Sequence, residues 1–310
     1  CGISGFIIQK PTSIFNLNSL KKMVYTLSHR GPNNKGYWNN LNETQFIGHT
    51  RLSIMDLSDK GSQPMISSSG RYVISYNGEI YNHWDIRKQI NRLKKTTWNS
   101  TSDTETILEA IETFGLIETT QKIHGMFSIC IIDKKKNLLH LIRDKFGEKP
   151  LYYGFSNNNF LFASELKGIV SFPNFKKDID KKSLNYFFNF SYIPEPYSIY
   201  KNISKLLPGT VLTFNLNTHK IINNEKFNTF CEDDNIQITE KNAVEKFDSI
   251  LNLAVKDSMI SDVEVGSFLS GGIDSSLITS VMQSQSSKQI KTFSIVFEDL
   301  KYDEKYYSRN

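Results

Sequence analysis

Residues Cys1-Gly2-Ile3-Ser4-Gly5-Phe6 form a short apolar run with a thiol at its head. A run of this kind enters a core as a strand, which puts the reactive group at the tip of a rigid element. A cysteine in first position also carries an α-amine, whose reference pKa of roughly 7.7–8.0 leaves part of it neutral near pH 7. That amine can take the thiol's proton, so nucleophile and base sit on one residue. Beyond the reading that the numbering merely starts here and the position means nothing, two others compete. One is the lipid-bearing cysteine of a processed lipoprotein, although a polar tether normally follows such an anchor. The other is an ordinary buried thiol, the usual fate of free cysteine.

The chain has 310 residues, enough for two domains with separate cores. Its net charge of +5 comes from lysines scattered among acids. No basic stripe marks a nucleic-acid surface, and no apolar run reaches the length of a membrane span. Cys1, Cys130 and Cys231 cannot all pair, and no CxxC or HExxH occurs. These features predict a reducing, cytoplasmic setting without structural zinc. Cys130 falls in a strand by pattern, and Cys231 in the polar stretch Thr229 to Asn235.

Leu20, Met23, Val24 and Leu27 have helical spacing after Asn16 or Asn18, and Gly31-Pro32 ends that helix. Gln45 to Ile54 alternates as a strand that includes Arg51 or ends near it. On its own Arg51 reads as a solvated arginine, but its guanidinium also suits a carboxylate held by two hydrogen bonds. In Arg71 to Tyr81, the pair Asn77-Gly78 between apolar alternations predicts a two-residue hairpin turn. The same two residues offer an amide and a backbone N–H to an oxyanion. Ser102 and Glu105 have the spacing of a capping box, with Asp103 either complementing the helix dipole or holding a substrate ammonium. Strands follow at Gly125–Asp133, Asn137–Arg143, near Tyr152 and at Phe160–Ala163, so strands with two main helices predict an α+β domain of packed layers.

Five of these motifs stand in one order: Cys1-Gly2-Ile3, His29-Arg30-Gly31-Pro32, Gly48 to Ile54, Tyr76 to Asn82 and Ser102 to Glu105. Together they resemble the glutaminase domain of class II glutamine amidotransferases, an N-terminal-nucleophile, four-layer αββα sandwich. Arg143 to Tyr153 and Ala163 to Lys167 resemble the asparagine synthetase branch. The resemblance implies that Cys1 attacks the glutamine amide with its own amine as base. It further implies that Asn77 and Gly78 hold the oxyanion, Arg51 the α-carboxylate and Asp103 the α-ammonium, with Glu79 lining the pocket. Asn33 stands where the family usually has an acid, and no catalytic role falls there.

Residues 1–230 form the expected glutaminase domain, with a segment from Asp178 to about Asp234 resembling the family's crossing between domains. Residues 231–310 are expected to begin an α/β, parallel-sheet ATP-pyrophosphatase domain. Thr239 to Met259 reads as an amphipathic helix, Val263–Leu269 as a strand and Leu277–Met282 as a helix. Between the last two lies Ser270-Gly271-Gly272-Ile273-Asp274-Ser275-Ser276. It lacks the lysine of a Walker loop, yet glycines and a helix N-terminus together favour phosphate. The run resembles the pyrophosphate loop of ATP pyrophosphatases, which implies ATP on Leu269, Ser270, Gly271, Gly272, Asp274, Ser275, Ser276 and Ile295, and Mg2+ on Asp274. Lys291–Phe297 is the next expected strand, and Tyr302-Asp303-Glu304 fits the same family.

The implied reaction is amidation of aspartate to asparagine with ATP and glutamine-derived ammonia. Two strands of a parallel sheet cannot bury both faces, so the chain reads as part of a longer one, active alone only as a glutaminase. The alternatives are amidation of a sugar or peptide carboxylate, or a non-synthetic remnant. Glutamine, aspartate and ATP are the expected partners, with neither nucleic acid nor membrane; a homodimer is compatible with the family.

Overall fold

The computed structural model describes residues 1–227, 238–297 and 307–308. Cys231 and Tyr302-Asp303-Glu304 lie outside the described residues. The chain divides into two compact units, residues 1–230 and 231–310.

In the first unit, among the described residues, two six-stranded sheets carry the fold. The strands are β1 (Gly2–Ile7), β2 (Asn34–Asn39), β3 (Gln45–Arg51), β4 (Met65–Ile66), β5 (Tyr72–Ile80), β6 (Gly125–Asp133), β7 (Leu138–Arg143), β8 (Tyr152–Ser156), β9 (Asn159–Ala163), β10 (Ile203–Lys205), β11 (Thr210–Asn215) and β12 (Lys220–Lys226). One sheet has the order β10-β8-β9-β1-β3-β2, the other β12-β11-β7-β6-β5-β4. Neighbours pair antiparallel throughout. The stretch expected to cross between domains therefore contributes β10, β11 and β12 to the two sheets.

The inner faces meet over Ile3, Ile47, Val73, Ile132, Leu141, Phe160, Phe162 and Phe214. Phe160 and Phe214 come from different sheets and stack with ring centroids 4.3 Å apart. Burying one such side chain contributes about 1.5–3 kcal/mol, so this layer holds the sheets face to face. Helix α1 (Leu17–Tyr25) covers the outer face of the first sheet through Leu20, Met23 and Val24. Its N-cap is Asn16, whose side chain accepts the N–H groups of Asn18 and Ser19; such a cap is worth about 1 kcal/mol.

On the outer face of the second sheet lies α3 (Asp103–Phe114), packed through Ile107, Leu108 and Ile111. Helix α2 (His83–Leu93), absent from the two-helix expectation, packs on α3 through Ile86, Ile90 and Ala110, and Phe114 joins that contact rather than the sheet. The spacing of Ile86, Ile90 and Leu93 carried the signal for α2. Shorter helices are α4 (Leu116–Lys122), α5 (Leu166–Val170) and α6 (Lys181–Phe190). The result is the αββα sandwich expected of N-terminal-nucleophile amidotransferases.

The second unit has α7 (Glu240–Ser258), β13 (Gly266–Phe268), α8 (Ile273–Ser284) and β14 (Lys291–Phe293). The two strands run parallel and are shorter than expected, whereas α8 is longer. It begins at Ile273, so Asp274, Ser275 and Ser276 occupy its first turn rather than a loop. Val255, Val281 and Met282 form the buried centre of this unit.

Candidate active site

Cys1 stands at the head of β1, a strand flanked by β3 and β9 in the first sheet. Its α-amine donates to the Arg30 carbonyl at 2.8 Å. The Leu52 N–H donates to Sγ at 3.3 Å. Burial, with the positive charges of Arg30 and Lys149, lowers the α-amine pKa from 8.0 to about 5, against a smaller opposing influence of Glu79. The amine is therefore neutral at pH 7 and can accept a proton. Cys130 lies in β6, fully buried, and burial pushes its thiol well above the ordinary range. Of the two described cysteines, only Cys1 has access to a cleft.

That cleft is lined by Cys1, Arg51, Asn77, Gly78, Glu79 and Asp103. All six residues expected of a glutamine site thus converge from three strands and one helix. Asn77 and Gly78 do not form a hairpin turn: both lie within β5, opposite Ser128 and Phe127 of β6. Gly78 is required there because a Cβ would run into the Met126 carbonyl and the Phe127 backbone. Asn77 is buried, and its Nδ2 has no hydrogen-bond partner among the described residues. A buried donor left unmatched costs about 1–3 kcal/mol, which a ligand acceptor would recover.

The Gly78 N–H is directed by the ladder. Phe127 gives its N–H to Asp144 Oδ2 at 3.2 Å and accepts the Asp144 N–H at 2.8 Å. Its cross-strand partner Gly78 is thereby in a non-hydrogen-bonded pair, with its own N–H turned away from β6. On that edge, β4 pairs only with Val73 and Ile74. The Gln63 amide takes the Tyr76 N–H at 2.6 Å and gives to the Tyr76 carbonyl at 3.2 Å. Asp103 Oδ2 takes the Ile80 N–H at 3.0 Å. The Gly78 N–H lies between these two filled positions, facing the cleft.

Arg51 ends β3 and is buried, against its reading as a solvated arginine. Nη1 donates to the Ser58 carbonyl at 2.7 Å, and Nη2 donates to the Asp56 carbonyl. These bonds fix a cation inside the cleft without neutralising it. Asp103 opens α3, and its Oδ2 also accepts the Tyr76 hydroxyl at 2.7 Å. Burial raises its pKa, opposed by those hydrogen bonds. Ser102 caps α3 through the Thr104 N–H, but the expected capping box does not close. The Glu105 carboxylate instead accepts the N–H groups of Asn99 and Ser100, both at 2.8 Å. Arg87 of α2 holds the Ser100 and Ser102 carbonyls, both at 2.8 Å, so α2 sets the entry into α3 and the place of Asp103.

Glu79 is half-buried, and burial and Asp103 raise its pKa while Lys149 and the Cys1 amine oppose the rise. Sequence reasoning missed Gln63, Tyr76 and Lys149 in the lining. Gln63 had no local signal. Lys149 lay in a motif already noted, and Asp144 brings it there by accepting the N–H groups of Phe146, Glu148 and Lys149. At the position that departs from the family pattern, Asn33 Oδ1 accepts the Ser53 N–H at 3.0 Å, a bond that an acid would also make.

In the second unit, Leu269, Ser270 and Ile295 line one cavity with Phe268, Phe293, Ser294 and Phe297. Gly271 has φ +82°, a conformation that favours glycine. Ser270 Oγ lies 2.9 Å from Ser275 Oγ and accepts the Gly272 N–H at 3.3 Å, which closes the turn onto α8. Ser276 donates its N–H to the Gly272 carbonyl at 3.0 Å; the preceding N–H groups of Ile273, Asp274 and Ser275 have no partners within the helix, and they suit an anion. Ser276 and Asp274 stand on that turn, and Asp274 is exposed. The apolar cavity shares Ser270 with this turn. Among the described residues no cluster of three metal-ligating side chains occurs; a single carboxylate fits Mg2+ only where phosphates complete the coordination.

The sandwich and its thiol-headed cleft define a glutamine amidotransferase, and the model for that domain matches residues 1–227; the chain belongs to this family. The asparagine synthase model matches residues 246–310. The chain is 38% identical over 99% of its length to a putative asparagine synthetase (glutamine-hydrolyzing) 2 of Methanocaldococcus jannaschii, covering 61% of it. It is 36% identical over 92% of its length to asparagine synthetase (glutamine-hydrolyzing) 1 of Bacillus subtilis, covering 44%, and 32% identical over 99% to asparagine synthetase 3 of that organism, covering 49%. The chain thus spans 44–61% of the length of these relatives.

Among solved structures it is similar to a glutamine phosphoribosylpyrophosphate amidotransferase from B. subtilis, with TM-score 0.55 and 13% identity, over 96% of this chain and 67% of that one. A second likeness, to an allosteric regulatory enzyme of purine biosynthesis, has TM-score 0.56 and 14% identity over 97% and 66% of the two chains. At such identities the likeness shows the fold.

Proposed function

We propose that the first unit hydrolyses glutamine to glutamate and ammonia, and that the ammonia serves an ATP-dependent conversion of aspartate to asparagine. The observation that carries the first half is geometric: the Cys1 thiol, with an α-amine on the same residue held by the Arg30 carbonyl at 2.8 Å, opens onto a cleft in which Asn77 Nδ2 has no partner among the described residues. Arg51 would hold the α-carboxylate of glutamine and Asp103 its α-ammonium. The Cys1 amine would take the thiol proton while Sγ forms a bond to the side-chain amide carbon. Asn77 Nδ2 and the Gly78 N–H would hold the resulting oxyanion. Collapse would release ammonia, protonated from the Cys1 ammonium, and leave a thioester. Water would attack it as the amine takes a proton, and glutamate would leave with Sγ restored.

The second half rests on the similarity of residues 246–310 to asparagine synthase and on the glycine turn that opens α8. ATP held there by Ser270, Gly271, Gly272, Ser275 and Ser276, with Mg2+ on Asp274, would supply activation of the aspartate carboxylate. Leu269 and Ile295 would flank the adenine. Among the described residues no helix is long and apolar enough to cross a membrane, and a cytoplasmic location belongs to the same proposal.

The test is glutamate release. Cys1→Ala should abolish it, and hydrolysis at the unaltered rate by that variant would remove the nucleophile assignment. Residues 1–310, given ATP, Mg2+, aspartate and glutamine, should make glutamate without asparagine.

A further inference from the structure

One residue holds both backbone ends of the nucleophile. Arg30 accepts the Cys1 amine through its carbonyl at 2.8 Å and returns an Nε–H bond to the Cys1 carbonyl at 2.9 Å. Beyond Arg30 lies Glu165, whose Oε1 accepts Nη1 of Arg30 at 2.8 Å and Nε2 of His29 at 2.9 Å. Its Oε2 pairs with Lys167 Nζ at 3.0 Å. The preceding residue, Ser164, grips the same end of β1: its N–H donates to the Ile3 carbonyl at 2.8 Å, and its Oγ accepts the Ile3 N–H at 2.9 Å.

We propose that Glu165 is a positioning residue for the nucleophile, locking Arg30 in the rotamer that grips Cys1 and thereby aiming the amine and thiol into the cleft. The proposal rests on the reading of Cys1 as nucleophile given above.

The physical reason is the length of the arginine side chain. Arg30 carries about 2 kcal/mol of rotamer entropy, and a single Nε–H bond to a carbonyl leaves the rest of its fork free to swing. A carboxylate on the far side removes that freedom. Burial alone would raise the Glu165 pKa, but hydrogen bonds from Arg30, Lys167 and His29 bring it to about 2, so the anchor is an anion throughout the working range. The charged and titratable groups facing the Cys1 amine are Arg30 and Lys149, which disfavour its protonation, and Glu79, which favours it; buried, neutral His49 also feels its charge. When Arg30 leaves, one of the two cations goes with it, and the amine binds its proton more readily.

The experiment measures the pH dependence of trace acetylation of the Cys1 α-amine, read by mass spectrometry of the N-terminal peptide, beside glutaminase kinetics. Glu165→Gln should move the acetylation midpoint upward by about half a pH unit or more, equivalent to about 0.7 kcal/mol. It should also lower kcat about tenfold with KM changed less than about twofold, as expected when the reacting group rather than substrate binding is disturbed. Glu165→Asp keeps the charge on a shorter arm and should fall between the two; it stands in if the glutamine variant does not fold. An unmoved midpoint in both variants overturns the proposal, as does an unchanged kcat. Because the acetylation needs no glutamine, failure of the hydrolytic reading would show separately, as full activity in Cys1→Ala.

Discussion

The Asp103 carboxylate accepts the Tyr76 hydroxyl at 2.7 Å, so the first residue of α3 is tied to the middle of β5. The same oxygen takes the Ile80 N–H at 3.0 Å. One buried acid thus joins the outer helix layer to the strand that carries Asn77, Gly78 and Glu79. It faces the same cleft as the thiol.

Asp103→Asn keeps an acceptor for Tyr76 and Ile80 but removes the charge offered to an ammonium. A hydrogen bond to a charged group is worth about 1.5–3 kcal/mol. The KM for glutamine should therefore rise about tenfold to a hundredfold, with the melting temperature nearly unchanged. A KM within twofold of the native value removes Asp103 from the substrate site.

Asn77→Ala separates catalysis from folding. Its amide donor has no partner among the described residues, so stability should change by less than about 1 kcal/mol in urea denaturation. Losing an oxyanion donor costs about 10²–10³-fold in kcat. Retained activity in this variant would leave the oxyanion with Gly78 alone.

The Cys1 amine sets an acid limit. Only the neutral amine accepts a proton, and its pKa lies near about 5. Glutamine hydrolysis should be level above about pH 6 and fall as pH drops through 5. For stability the sign is the same. The unfolded amine binds its proton from about pH 8 downward and the folded one does not, so folding weakens on acidification between the two values. A kcat profile with its acid limb near about pH 8, where an ordinary α-amine titrates, would show that burial leaves the amine unshifted.

Gly78→Ala should lose structure rather than chemistry alone. The added methyl meets backbone atoms of β6, and backbone cannot yield as a flexible side-chain tip can. Overpacking costs about 1–3 kcal/mol, and the urea midpoint should fall accordingly. An unaltered midpoint would mean that glycine serves only substrate approach.

Much of this was readable from local pattern, because strand alternation, helix spacing and caps act over a few residues. Asn16 as N-cap, Gly115 after α3, the strand holding Cys130 and the thiol-headed β1 all follow from neighbours in the chain. The Asn77-Gly78 pair misled for the same reason: as a local signal it means a turn, but β6 on one side and the Gln63 amide on the other keep it in a strand. The roles assigned to Arg51 and Asp103 came from motif order, and their burial came from contacts that no local pattern contains. Gln63 and Glu165 were silent in the sequence as site residues, since each acts on partners far away in the chain.

The order of residues by itself determined that a thiol would head an apolar strand and that a glycine turn would open α8. Tertiary structure alone decided that the Cys1 amine is neutral, that the Gly78 N–H faces the cleft and that Arg30 is gripped by Glu165. Protonation and direction depend on burial and on the charges that long-range folding brings near. Those neighbours exist only once the two sheets have closed on each other.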